Sequence, residues 1–579
     1  MALYSADFET IATEGVNETR IWAYAIIEIG NDKNFIYGNN MTDFIKFCKD
    51  SKNSTFYFHN LKFDGEFIID YLLKNGFTHV VNNKDIKDNT FTTLISDTGQ
   101  FYSMTVYFKV YGKRRIKATF LDSLKIFNMS VADIAKGFGL SMSKLEIDYK
   151  QYREEGHELT KQEIDYIHND VAIVAKALEF FILEQGYDKM TIGSNAINVF
   201  KNMFGKEKFK KVFPPPAYDE AIRPAYKGGF TYVNEEFLNK EIGKGWVLDV
   251  NSLYPWAMAA DENIYPYGEP LKFEGEYIPD DLYPLYFITF SCNFRIKKGK
   301  LPTLQIKKSR FFKETEYLKS SDGEDVILTL NNVDLELFFD HYDVANIEYL
   351  GGYKFKGRSG FFKDYINKFT EKKINAKAEG NKAMYLTSKL FLNNLYGKFS
   401  TNPICRTKIP YLENGIVKYK YGEYEEREPV YIPVGAFVTS YARRKTISTA
   451  QLIEDNYYNG KSKIRFIYAD TDSLHCWDED GEGVPEFIEV DDYKLGAWKK
   501  EFSFIRGKYL RAKCYIEEGH EKDDEPLELK KTVAGCSDIC KEQITWENFK
   551  LGAVYTGKLR PKHIEGGVIL EETTFEIRK

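Results

Sequence analysis

The chain opens on apolar runs spaced for strands. Residues 3–29 read as two alternating strands, LYSADFE and RIWAYAIIEI, joined by a polar turn, and TFYFHN at 55–60 reads as a third. Helical patterns follow near 64–75 and 161–184, so strands mixed with amphipathic helices predict an α/β module ending near 190. The segment KKVFPPPAYDEAIRPAYKGGF at 210–230 has the proline and glycine density of a connector. A strand is expected at 245–250, GWVLDV, and a strand-rich region with many turns at 261–360. The longest helical pattern spans 361–399 and breaks near 378–381, which predicts a helical hairpin. Strands and turns return at 405–434, then a helix at 435–454, a β-hairpin at 463–477, and short strands and turns from about 528. No internal repeat or low-complexity tract interrupts the pattern.

Length and composition narrow the class. At 579 residues the chain exceeds one core and predicts several domains, and 43% hydrophobic residues argue against disorder. The 41 Tyr and 44 Phe are mostly core rings by expectation, yet their number leaves some to stack on bases. A net charge of -6 gives no global basic field, so any phosphate contact must come from local patches. The richest lies at 354–377, where eight Lys/Arg face only Asp364 and Glu371; 306–313, 441–445 and 508–515 are smaller. A solvated face explains any one of these alone. Seven cysteines with no CxxC pair form no zinc set and fit reduced thiols in a cytosolic protein. No apolar run is long enough to span a membrane, and the first strand begins too early for a targeting segment to precede it.

The chemistry resides in carboxylates. Asp7 and Glu9 share one face of an apolar strand, and so do Asp470 and Asp472 in IRFIYADTDSLHCW. Acidic pairs at this spacing are common on solvated edges, but burying them beside Ile, Phe and Tyr is costly unless cations neutralise them. Asp64 in HNLKFD adds a carboxylate, and Tyr166 with Asp170 share a helix face at i, i+4. Four carboxylates and a tyrosine hydroxyl suit a two-metal hydrolase; a capped core ring is the alternative for Tyr166. His59 has no His or Cys partner at ligand spacing and reads as a hydrogen-bonding histidine. Asp249 ends an apolar strand, with Tyr254 five residues on. Lys389, Asn393 and Tyr396 fall on one helical stripe, suited either to a triphosphate and a base or to an ordinary amphipathic face with a snorkelling lysine. Two clusters of this kind predict a protein that both extends and trims nucleic acid.

These residues, in this order, resemble the protein-primed family B DNA polymerases of small phi29-like phages. DFET (7–10), HNLKFDG (59–65) and Tyr166 with Asp170 look like the family's exonuclease motifs, and YKGG (226–229) like its linker motif. DVNSLYP (249–255), KLFLNNLYG (389–397), TSYAR (439–443), YADTDS (468–473) and KCY (513–515) look like its polymerase motifs. The match runs nearly end to end. It implies a multidomain α/β and α+β fold: an N-terminal ribonuclease-H-like 3′–5′ exonuclease, then a right-hand palm, fingers and thumb. The implied boundaries are 1–189 exonuclease, 190–260 and 432–527 palm, 361–400 fingers and 528–579 thumb. Inserted segments would span 261–360, contacting the priming protein, and 401–431, serving strand displacement and processivity.

The resemblance also implies roles. Asp249 and Asp472 would bind two metals with the Val250 carbonyl, and Asp470 would support them. Tyr254 would exclude a ribose hydroxyl; Lys389 and one lysine of 368–382, taken as Lys373, would hold the triphosphate; Asn393 and Tyr396 would face the nascent pair. Asp7, Glu9, Asp64 and Asp170 would bind the exonuclease metals, assisted by Tyr166 and Lys144. Thr10, Asn60, Phe63, Ser123 and Leu124 would hold the frayed strand, with Tyr57, His59 and Phe67 contacting it or the priming protein. Tyr226, Gly228, Gly229, Thr439, Arg443, Lys513 and Tyr515 would contact DNA. The implied cofactor is Mg2+, with Mn2+ as the alternative, two ions per active site. The implied partners are primer-template DNA, dNTPs, a terminal protein and a single-stranded DNA-binding protein, in the cytoplasm of a host cell. Two rival readings are a family B polymerase that uses only nucleic-acid primers and a nuclease with an inactive polymerase half. One departure stands out: Asn393-Asn394 precedes Leu-Tyr-Gly where the family carries Asn-Ser.

Overall fold

The computed structural model describes residues 2–11, 15–148, 151–305, 317–520 and 528–578. The N-terminal part is built on one eight-stranded sheet. Its order is Asn31–Gly38, Ile21–Glu28, Leu3–Thr10, Thr55–Phe58, Arg114–Asp122, Phe101–Tyr111, Thr90–Ile95 and Thr78–His79. Strand Leu3–Thr10 pairs parallel with Thr55–Phe58 and antiparallel with Ile21–Glu28. Helices cover both faces. Tyr4, Tyr24, Ile26, Phe56 and Phe58 pack towards helices Met41–Asp50 and Leu61–Lys74. Ala23, Ala25, Ile27 and Tyr57 pack towards helix Lys161–Leu178. This double cover explains why strand Ile21–Glu28 reads as an unbroken apolar run rather than the alternation expected of it.

Helix Lys161–Leu178 starts at a capping box, in which Thr160 and Glu163 satisfy each other's backbone donors. It passes into a π-helical turn, Glu179–Glu184. The connector at 210–230 is packed rather than loose. Helices Lys206–Val212 and Asp219–Ile222 lie in it, and Phe213, Ile222, Ala225 and Phe230 are buried.

The second sheet runs Glu528–Val533, Cys514–His520, Trp498–Arg511, Gly245–Val250, Ser473–Trp477, Arg465–Asp470 and Thr231–Val233, with Glu241–Ile242 paired to Trp498–Arg511. Helix Ile432–Tyr458 backs it and, at 27 residues, is longer than either helix of the hairpin that the sequence pattern made the longest. That hairpin is Lys363–Ala378 and Lys382–Asn394, turning at Gly380 with φ +71. The second helix stops at Asn394, and Tyr396–Phe399 forms a separate short helix, so the expected continuous stripe is broken at Leu395.

The region 261–360 forms a four-stranded sheet, Tyr265–Phe273, Tyr342–Arg358, Leu285–Ile296 and Val326–Asn331, and also holds helix Asn332–His341. The basic stretch 306–313 lies outside the described residues. A two-stranded hairpin, Ile404–Glu413 with Ile416–Glu426, packs against the N-terminal part, where Thr407 bridges Ser96 and Val417 joins its core. The C-terminal pair, Val554–Ile564 and Gly567–Glu576, is a hairpin of 11 and 10 residues, not the short strands expected.

Three distant segments meet at one buried carboxyl. Glu66 of helix Leu61–Lys74 accepts a hydrogen bond from the Tyr419 hydroxyl at 2.7 Å, and His563 Nδ1 lies 3.6 Å from the same carboxyl. Burial pushes the Glu66 carboxyl up to about 8. Beside it the Thr19 amide donates to the Glu565 carbonyl at 2.8 Å. Val417 and Val568 complete the apolar packing. All seven cysteines are free. Among the described residues, no helix is long and apolar enough to cross a membrane.

Candidate active sites

The first site forms where the N-terminal sheet meets helix Lys161–Leu178. Asp7 pairs with Ala25 and Glu9 with Ala23, so both carboxylates project from the face that this helix covers. Oxygens of Asp7, Glu9 and Asp170 lie within 4.8 Å of one another. Asp64, in the first turn of its helix, joins Asp7 and Asp170 in lining a cleft of about 190 Å³ with Asn60, Phe63 and Lys144. Burial, then the neighbouring Asp170 charge, pushes the Asp7 carboxyl up to about 7. Glu9 and Asp64 are raised well above the carboxylate range by burial first and Asp7 second. Lys144 lies 3.7 Å from Asp170, and the Tyr166 hydroxyl bonds the same carboxylate. The inner oxygen of Asp170 is buried with no hydrogen-bond partner. Crowded, mutually repelling carboxylates with such an orphaned oxygen fit hard divalent cations.

The second site lies at the end of strand Gly245–Val250. Asp249 faces Ser473 on one neighbouring strand and Lys499 on the other. Asp472 occupies the tight turn between strands Arg465–Asp470 and Ser473–Trp477, and its carbonyl accepts from the Val250 amide at 2.7 Å. Burial, then Asp472 and Glu501, pushes the Asp249 carboxyl up to about 7; Asp472 is also raised, by burial first. Asp470 adds to the repulsion on Asp472 and is itself paired, accepting from Lys513 Nζ at 2.6 Å and from the Thr231 hydroxyl at 3.3 Å. The turn is strained and clamped. Thr471, a β-branched residue, sits at φ +67. Its amide donates to the Phe230 carbonyl at 2.7 Å, and its carbonyl accepts from the Thr446 hydroxyl at 2.8 Å. Gly229 packs against it so closely that a Cβ there would meet Thr471 Cγ2 at 2.5 Å.

A family model described as DNA polymerase type B, organellar and viral, matches residues 45–483. The DNA polymerase of Bacillus phage phi29 is 44% identical over 100% of this chain and 99% of its own length. The chain belongs to the phi29-like type B DNA polymerases. That of Streptococcus phage Cp-1 is 35% identical over 100% of this chain and 98% of its own length. The solved structure of phi29 DNA polymerase with primer-template DNA superposes with a TM-score of 0.92 at 42% identity, covering 100% of both chains. The form that also holds incoming nucleotides gives 0.91 at 42%, again over 100% of both. This polymerase is thus a DNA-directed DNA nucleotidyltransferase with an exonuclease-type domain joined to a polymerase domain.

In this polymerase the residues anticipated from its motifs fall into three groups. The carboxylates gather as described. Tyr254 and Tyr396 stack beside the Asp249 centre at 4.1 Å and 22°. Lys373 and Lys389 come close enough across the helical hairpin for Lys389 to help depress Lys373, after burial. Asn393 is exposed, and Asn394 donates to the Leu390 carbonyl at 2.8 Å, so the departing amide is bound to its own helix. Tyr226 lies near Tyr396.

Several anticipated contacts are instead interior. Tyr57 is 6% exposed because the sheet is covered on both faces, and Phe67 is 2% exposed because the C-terminal hairpin packs on its helix at Gly567, so neither ring is open to a strand or a protein. His59, by contrast, is half-buried and lines the cleft of the first site, its ring tied to the Ser123 hydroxyl at 3.0 Å and the Met129 carbonyl at 2.7 Å, while Ser123 also donates to the Phe58 carbonyl. Thr439 is buried with its hydroxyl on carbonyls of its own helix. Arg443, 2% exposed, pairs with Asp334 and donates to the Lys227 and Gly228 carbonyls at 2.8 and 2.7 Å. It therefore anchors the YKGG segment instead of meeting phosphate. Tyr515 packs inward against Tyr509 and Tyr468.

Thr10, Phe63 and Leu124 remain part-exposed, and the Asn60 and Leu124 amides both donate to Asp122 at 3.0 Å. Asp122, Lys499 and Glu501 were not anticipated. Asp122 lies in a strand without motif, and Glu501 sits where the register between Gly245–Val250 and Trp498–Arg511 shifts, which no periodicity reveals.

Proposed function

We propose that this polymerase extends DNA at the Asp249/Asp472 centre and trims 3′ ends at the Asp7/Glu9/Asp64/Asp170 centre. The observation that carries the reading is the presence in one chain of two separate carboxylate clusters, Asp7/Glu9/Asp170 beside Asp64 and Asp249 beside Asp472, whose pKa values are raised first by burial and then by one another. Type B polymerases use divalent ions. When bound, two Mg2+ per centre, or Mn2+ in their place, would neutralise these charges and acidify an attacking hydroxyl or water.

The chain's own groups do the rest. Asp249 and Asp472, with the Val250 carbonyl, hold the metals of synthesis, while the Lys513–Asp470 pair fixes the turn and steadies the primer end. Lys389 and Lys373 offer cations to a triphosphate, and the stacked Tyr254 and Tyr396 make a flat wall that leaves no room for a ribose 2′-hydroxyl. In the trimming centre Tyr166 and Lys144, both on Asp170, orient the attacking water, and Thr10, Asn60, Phe63 and Leu124 border the path of the frayed strand.

The domains proposed on this reading are exonuclease 1–189, palm 190–260 and 432–527, fingers 361–400 and thumb 528–579. The four-stranded sheet within 261–360 receives a terminal protein whose hydroxyl primes synthesis. The hairpin within 401–431 closes against exonuclease and thumb around the template and parts the duplex ahead, with a single-stranded DNA-binding protein covering the displaced strand.

A 5′-labelled primer–template incubated with Mg2+ tests the core of this. The primer lengthens with dNTPs and shortens without them. Asp249→Ala or Asp472→Ala abolishes lengthening and spares shortening, and Asp7→Ala with Asp64→Ala does the reverse. One substitution that removes both activities while the protein stays folded would sink the two-centre model. Transfer of dAMP to a terminal protein tests priming separately.

A further inference from the structure

The polymerase centre contains a cation that its motifs do not account for. Lys499 is the direct cross-strand partner of Asp249, so the two side chains leave the same face of the sheet. Glu501, two residues on, is the extra residue of a register shift between the strands, the kind of bulge that re-aims a side chain next to a site. Lys499 Nζ lies 3.1 Å from the Glu501 carboxylate, with both side chains about two-fifths exposed (38% and 42%). The lysine is therefore held at the rim of the carboxylate cluster, not buried under it. The charges of Asp249 and Glu501 both reach it: Lys499 is raised by Glu501 first and by Asp249 last, and Asp249 is drawn down by Lys499 and then Lys530. The trimming centre has its own cation in Lys144, which bonds Asp170 on another element.

We propose that Lys499 sets the divalent-ion requirement of the polymerase centre: its ammonium lies where it neutralises the Asp249/Glu501 side of the cluster before metal enters, so ions must compete with it. This rests on Asp249 and Asp472 being metal ligands. The consequence is separate tuning. Each cluster carries a lysine on a different carboxylate, Lys499 beside Asp249 and Glu501 and Lys144 beside Asp170, so the ion requirement of one activity can change without the other. Removing it strengthens ion binding at the polymerase centre by about three- to tenfold, a size limited by the exposure and screening of the pair. Arginine keeps the charge and leaves binding unchanged.

The test uses the full chain carrying Asp7→Ala and Asp64→Ala, so the trimming cluster contributes little binding, with Mn2+ titrated alone and bound ion counted by loss of the free Mn2+ paramagnetic signal. Lys499→Met is compared with Lys499→Arg and Asp249→Asn. In parallel, the Mg2+ midpoints of primer extension and of trimming are measured in chains with the trimming centre intact. The proposal expects tighter Mn2+ binding and a lower extension midpoint in Lys499→Met, wild-type values in Lys499→Arg, and an unmoved trimming midpoint. Equal or weaker Mn2+ binding in Lys499→Met overturns it. So does a shift of both midpoints together, or a raised KM for dNTP at unchanged metal affinity, which would put the lysine on the triphosphate. Unaltered Mn2+ binding in Asp249→Asn would instead defeat the ligand assignment beneath it, whatever Lys499 does.

Discussion

Replacing Gly229 by alanine tests whether the linker motif exists to hold the catalytic turn. Gly229 is not at positive φ, so alanine carries no backbone penalty there and the whole effect is contact. Its Cβ would stand 2.5, 2.6 and 2.9 Å from Cγ2, Oγ1 and Cβ of Thr471, where ordinary contact begins near 3.4 Å. About 1 Å must therefore be absorbed, by an estimate at the scale where overpacking costs about 1–3 kcal/mol. Rotation about χ1 would move Cγ2 and Oγ1 but not Cβ at 2.9 Å, and the backbone that carries Cβ is held by its bonded amide and carbonyl. The displacement passes to Asp470 and Asp472, its neighbours in the chain. A misplacement of about 1 Å in a reacting assembly lowers turnover on the order of a hundredfold. Single-turnover primer extension at saturating dNTP is expected to fall by about that factor in Gly229→Ala, with trimming of single-stranded DNA within about twofold of wild type. Adding Thr471→Gly removes both the clashing side chain and the φ penalty and should restore part of the loss. Extension within threefold of wild type in Gly229→Ala, or no gain from the second change, would refute the argument.

Other outcomes follow from the same structure. Asp7 and Asp249 are both raised to about 7, above their ordinary unfolded value of about 4, so protons compete with metal near neutrality. The Mg2+ midpoints of both activities should rise steadily from pH 8 to pH 6, and a pH-independent midpoint would contradict the raised carboxyls. The folded, metal-free chain binds more protons at these groups than the unfolded one, so their contribution to stability is complete below about pH 4 and lost as pH rises through about 7. The melting temperature of metal-free Asp249→Asn should therefore exceed that of wild type by more at pH 8 than at pH 5.5. Glu454 and Arg465 are 2% and 5% exposed and bonded at 3.0 and 3.1 Å behind the catalytic strands. Glu454→Ala leaves the guanidinium short of its buried partner and should cost about 3–5 kcal/mol, read from the urea dependence of polymerase inactivation. Replacing both residues by methionine should cost less.

Much of this was legible in the chain because it is written in local spacing. Asp7 and Glu9 differ by one strand period, and Tyr166 and Asp170 by one helical turn, so each pair had to share a face. What stayed hidden depends on distance or on covering. Tyr57 looks like any ring beside His59 until the sheet is seen to be covered on both faces. Arg443 looks like a hand for phosphate until Asp334, more than a hundred residues away, is found bonded to it. Glu501 enters the polymerase centre through a register shift, which erases the alternation by which strands are read. The stripe through Lys389 and Tyr396 is interrupted at Leu395, where the poor helix formers Asn393, Asn394 and Gly397 cluster.

The meeting of Glu66, Tyr419 and His563 has a topological consequence. Helix Leu61–Lys74, the hairpin of Ile404–Glu413 and Ile416–Glu426, and the C-terminal hairpin touch pairwise at this carboxyl, which lies at the centre of a clasp joining the three. A linear strand can be threaded past a closed clasp end first. A circular single strand has no end and can be admitted only while the clasp is undone. The proposed enclosure of the template therefore makes loading, not synthesis, the step that tells ring-shaped from linear DNA, and gives both the same pace once inside. Because the carboxyl at the clasp sits near 8, mild alkali would charge it in its buried setting and ease its opening.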